Sequence, residues 1–94
     1  MDHAGRKALI ALKDLLDEIR ARSGVEERRP GYFYFKGKAL THFHTDPTGL
    51  YADARLGKKW ARLSVSKPEE RTHFLRLLDK ELNARANHSI EFRF

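Results

Sequence analysis

Apolar residues recur every three or four positions near the start of the chain. Leu9, Leu12, Leu16 and Ile19 form a stripe that Ala8 and Leu15 widen, while Lys13, Asp14, Asp17, Glu18 and Arg20 fill the other face. That period predicts an amphipathic helix over residues 4–23. Gly24 supplies a stop signal, since glycine enters the left-handed conformation past a helix end without steric cost. Residues 25–31, Val-Glu-Glu-Arg-Arg-Pro-Gly, read as a polar connection punctuated by Pro30 and Gly31.

From residue 32 the period changes to two. Tyr32-Phe33-Tyr34-Phe35 is an aromatic, strand-favouring run, and Lys36-Gly37 reads as a tight turn. A second strand is expected from Ala39 to His44, a turn at Thr45-Asp46-Pro47-Thr48-Gly49, a third strand from Leu50 to Leu56, a turn at Gly57-Lys58-Lys59 and a fourth strand from Trp60 to Val65. Connections this short require antiparallel neighbours, so residues 32–65 predict a four-stranded meander.

Helical spacing returns with Phe74, Leu75, Leu78 and Leu82 over residues 67–86. Ser66-Lys67-Pro68-Glu69 reads as a capping box with proline in the first turn. The tail from His88 to Phe94 sets Ile90, Phe92 and Phe94 against Glu91 and Arg93, which suggests a short edge strand or an apolar latch. Two amphipathic helices and one amphipathic sheet bury their apolar sides most simply as two layers. The expected fold is therefore α+β, a two-layer α-β-β-β-β-α sandwich with both helices on one sheet face, in one domain of 94 residues.

Composition narrows the class. Cysteine is absent, which excludes disulfides and thiolate metal sites and fits a reducing compartment. No apolar run approaches the roughly 20 residues of a membrane span, and Met1 to Lys7 lead into a charged stretch with no apolar leader segment. A cytoplasmic protein with no membrane partner is expected. The net charge of +6 is unevenly placed: residues 28–67 hold nine of the nineteen Lys and Arg but two of the thirteen Asp and Glu. A basic segment between balanced helices points to an anionic partner, against the alternative that surface lysines serve only solubility.

Strand alternation gathers the candidate chemistry. If Phe43 faces the core, the open face collects His42, His44, Tyr51, Asp53, Arg55, Trp60, Arg62 and Ser64. Leu40 then falls on the open side. The first hairpin's register decides this: a two-residue turn puts Phe33 and Phe35 with Leu40 and the histidines, and a bulged turn reverses them. Three chemistries fit the face. His42 and His44, at i and i+2 on a strand, form a polar cluster with Asp53 that suits zinc or copper; three ligands fall short of a closed structural site, so no metal or cofactor is assigned. A histidine oriented by Asp53, with Arg55 or Arg62 polarising an anionic substrate, fits general-base catalysis. No nucleophile elbow, phosphate-cradling loop or paired carboxylates accompany it, so no catalytic residue is assigned. Rings interleaved with cations, Tyr51 and Trp60 with Arg55, Lys58, Lys59 and Arg62, have the composition of a single-strand nucleic-acid platform. A protein partner or weak homodimer, met through this face or through Ile90-Phe92-Phe94, is the alternative.

The stretch Phe33-Tyr-Phe-Lys-Gly-Lys-Ala-Leu-Thr-His-Phe-His44, continuing through Asp46-Pro-Thr-Gly-Leu-Tyr-Ala-Asp-Ala-Arg-Leu56, resembles small uncharacterised bacterial α+β proteins over about residues 30–82. Its hairpin is also similar to that of the MmcQ/YjbR-like family, for which DNA binding has been suggested; those chains are usually longer. The resemblance implies the fold and a bacterial, cytoplasmic protein, and carries over no catalytic residue. The reading that follows is a small non-enzymatic binding module with an anionic partner, nucleic acid first. A protein-interaction module ranks second and a His-based or metal-dependent enzyme third.

Overall fold

A computed structural model describes residues 2–3 and 5–91. In chain order its elements are β1 (Asp2–His3), α1 (Arg6–Ala11), α2 (Lys13–Arg20), β2 (Val25–Arg29), β3 (Tyr32–Phe35), β4 (Lys38–Asp46), β5 (Gly49–Leu56), β6 (Lys59–Ser64) and α3 (Pro68–Glu91). The class is α+β: helices and an open antiparallel sheet of order β2-β3-β4-β5-β6, with β1 paired to β4 beyond the residues that β3 covers. Among the described residues no helix is long and apolar enough to cross a membrane.

The main path of the sheet has five strands rather than the four expected. The additional one, β2, occupies the segment read as a connection. Its charged side chains suit an edge strand, and Pro30-Gly31 turns it into β3, with Gly31 at φ +79°. Glu27 makes this possible. One carboxylate oxygen accepts the Gly31 N–H at 2.9 Å, and both accept Arg20 of α2, at 2.7 and 2.9 Å. Arg20 first, then the Gly31 N–H, hold the Glu27 carboxyl below its ordinary pKa. A depressed carboxyl contributes stability above its unfolded pKa of about 4.3, lost as pH falls through the folded value. Glu27→Gln is therefore expected to cost about 1 kcal/mol at neutral pH, with the difference from the parent closing in acid. Urea midpoints at several pH values check this; a pH-independent difference would contradict it.

The first helical stretch is one rod interrupted at Leu12, whose ψ of 5° departs from helix values. The bonds Leu12 N–H to Ala8 and Leu16 N–H to Leu12, both 2.9 Å, carry the hydrogen-bond ladder across. At α3, Pro68 opens the helix, Glu70 rather than Glu69 turns back to accept the Lys67 N–H at 2.9 Å, and Ser66 instead accepts the Leu50 N–H at 2.9 Å. Helix α3 runs on through residues 88–91, where a strand or latch was expected; residues 92–94 lie outside the described residues. One apolar cluster unites Leu12, Leu16 and Ile19 with Phe33, Phe43 and Ala52 of the sheet and with Phe74 and Leu78 of α3.

A bulge settles which side of the sheet is which. Lys36 and Gly37 both take positive φ, 53° and 76°, as a two-residue hairpin turn requires. Tyr34 then pairs with Ala39, but Phe33 pairs with Thr41, so Leu40 is the extra residue in β4. Leu40 and Thr41 are both buried, at 0% and 1% exposure, and Phe43 two residues on also faces the core. The first hairpin thus has a tight turn and a bulge three residues later. That combination frees the opposite face for His42 and His44.

Candidate functional site

The register of β4, β5 and β6 aligns the open face in rows. His42 pairs with Asp53 and Asp53 with Arg62; His44 pairs with Tyr51 and Tyr51 with Ser64; Arg55 pairs with Trp60. Paired residues point to the same side of a sheet, so these eight side chains share one surface. On β3, Tyr32 joins them, its ring stacked on that of His42 with centroids 5.5 Å apart and planes 10° apart. His42 also lies 4.8 Å from the His44 ring and 5.2 Å from that of Trp60.

Asp53 is the hinge of the polar cluster, with a side chain only 13% exposed. Arg62 Nε and Nη2 donate to its two oxygens at 2.8 and 3.0 Å, and His44 Nε2 lies 2.6 Å from Oδ2. The Arg62 bond, and after it the charges of His44 and Arg62, hold the Asp53 carboxyl below the usual carboxylate range against the opposing effect of burial. His42, His44 and Asp53 each turn one ligand atom into a space where all three lie within 4.8 Å of one another. His44 is nearly buried, with 9% of its side chain exposed.

Around this cluster the face is aromatic and cationic. Trp60, at 45% exposure, stands clear of the sheet with the Arg55 guanidinium 6.0 Å above its ring. At the other end two arginines of β2 lie over β3 rings: Arg28 over Tyr34 and Arg29 over Tyr32, each 4.2 Å from the centroid. Arg28 is bound to Glu26 at 2.6 Å, and Arg62 to Asp53. Arg29, Arg55 and Lys58 make no salt bridge to a carboxylate among the described residues.

Of the expected site residues, Tyr51, Arg55, Trp60 and Arg62 lie together on the open face, with His42, His44 and Asp53 between them. Lys58 sits in the β5–β6 turn beside Trp60. Lys59 pairs with Leu56, which packs against the core, so it falls on the opposite side of β6 from Trp60. Arg28 and Arg29 are additions, hidden because their segment read as a loop. The clamp beneath Lys58 is another. Glu81 of α3 accepts the Gly57 N–H at 2.7 Å and the Arg85 Nε at 2.7 Å, while Arg85 also donates to the Ala39 carbonyl at 3.0 Å. A cavity of about 530 Å³ opens there, lined by Lys38, Arg55, Lys58, Trp60, Glu81 and Arg85.

No family model, curated protein or solved structure matches the chain.

Proposed function

We propose that the protein is a small non-enzymatic binding module that receives single-stranded nucleic acid on the open face of its sheet. One observation carries this reading: Arg29, Arg55 and Lys58, cations without a carboxylate partner among the described residues, border a continuous patch of rings formed by Tyr32, His42 and Trp60. Single strands are held in this way, with bases on aromatic and guanidinium planes and phosphates on Lys and Arg. Arg28 and Arg62 are already neutralised by Glu26 and Asp53, so they orient the surface more than they draw phosphate.

That division sets a number. Three phosphate contacts to a single strand give a slope of log K against log salt of about −2, where engagement of all five cations would give about −3.5. Amide shifts in a titration with short mixed-sequence single-stranded DNA and RNA, repeated at rising salt, measure both the footprint and the slope. Shifts gathered at Arg29, Tyr32, Arg55 and Trp60 with a slope near −2 are expected. No shifts at near-millimolar oligonucleotide, or shifts on α1 and α2 alone, would overturn the reading.

A further inference from the structure

We propose that His42, His44 and Asp53 form a binding site for one transition-metal ion, with Zn²⁺ the first choice. Two imidazoles and a carboxylate are the ligand types that zinc takes in sites with three protein ligands, where the fourth position is left to water or an exogenous anion. The three side chains already converge, their ligand atoms all within 4.8 Å. Zinc bonds of roughly 2.0–2.1 Å place tetrahedral ligands ~3.3 Å apart, so closure needs movements of less than about 1 Å. The contact of 2.6 Å between His44 Nε2 and Asp53 Oδ2 must open by a similar amount to admit the ion.

The site is built on rigid elements. His42 and Asp53 are cross-strand partners in the middle of the sheet. The Thr41 hydroxyl donates to the Asp53 carbonyl at 2.8 Å, which fixes the backbone under the carboxylate. Tyr32 stacks on the His42 ring and Trp60 packs at its side. Arg62 holds both Asp53 oxygens from the exposed side and is the group that must yield one of them. Ligands held by their surroundings in this way lose little freedom when an ion arrives. Binding an ion between them replaces a contact in which the carboxylate is shared by Arg62 and His44, and it needs no thiolate, which the chain lacks.

The test is calorimetric titration of the full chain with Zn²⁺, backed by the visible d–d absorption of Co²⁺ as a report of tetrahedral nitrogen and oxygen ligation. One equivalent per chain is expected. His42→Gln, at a half-buried position, and Asp53→Asn are each expected to weaken binding by more than about 100-fold, beyond the roughly 10- to 100-fold that loss of an outer-shell partner usually costs. A dispersed amide spectrum establishes that each variant is folded. The double variant Arg55→Ala/Lys58→Ala removes phosphate contacts yet leaves Zn²⁺ binding unchanged, so failure of the nucleic-acid reading and failure of the metal site are separable. Absence of binding at millimolar Zn²⁺, or one bound equivalent that survives in both ligand variants, would overturn the site.

Discussion

Replacing Phe43 with alanine is expected to lower the unfolding free energy by about 3–5 kcal/mol, the usual cost of emptying a buried aromatic position. Phe43 is 1% exposed and meets two other rings edge-on, Phe33 at 6.5 Å and Phe74 at 6.1 Å. Its side chain therefore ties β3 and β4 to α3. A domain of this size has a total stability of about 5–15 kcal/mol, so the variant should melt on the order of 20 °C lower or fail to fold. Phe43→Leu, which keeps most of the volume, should cost about 1–1.5 kcal/mol. The adjacent His42→Ala removes a side chain from the other face and should leave the core intact. A Phe43→Ala cost below 1 kcal/mol would mean that β4 presents its other side to the helices.

The three turns between residues 32 and 60 announce themselves through Gly37, Asp46-Pro47 and Gly57, and alternation within β5 and β6 separates Tyr51, Asp53, Arg55, Trp60 and Arg62 from the apolar positions of each strand, while the register between the strands puts them on one face. The bulge at Leu40 has no such signature. A bulge is a property of two strands in register, and a lone apolar residue beside Thr41 only shows that simple alternation breaks. Strand β2 is hidden for a different reason. Glu27 reads as solvent-facing, and its half-buried place depends on Arg20, seven residues away on a helix, and on the Gly31 N–H. Only a strand at this edge sets Arg28 and Arg29 over Tyr34 and Tyr32, so a polar connection gives them no place on the face. The tail shows how a short period misleads: Ile90, Phe92 and Phe94 alternate, yet Leu78, Leu82, Ala86 and Ile90 continue the spacing of α3, and the helix does run to Glu91.

Trp60→Ala is expected to reduce affinity for a short single-stranded oligonucleotide by about 5- to 150-fold, the equivalent of the ~1–3 kcal/mol that one base–aromatic stack contributes. Trp60 projects from the sheet at 45% exposure, touching His42 and lying under Arg55, so its removal opens no cavity in the core. Stability should change by no more than about 0.5–1 kcal/mol, which separates a binding defect from a folding one. Trp60→Phe keeps a flat ring at the same place and should recover most of the affinity. Because the chain has one tryptophan, its own fluorescence reports the event: a base stacked on the indole should quench it in step with the amide shifts of Arg55 and Lys58. Quenching that saturates with oligonucleotide and fades with salt places the strand on the open face. Unaltered fluorescence alongside undiminished binding in Trp60→Ala would put the nucleic acid elsewhere on the molecule, and the rings of this face would then serve only to hold His42 and its neighbours in place.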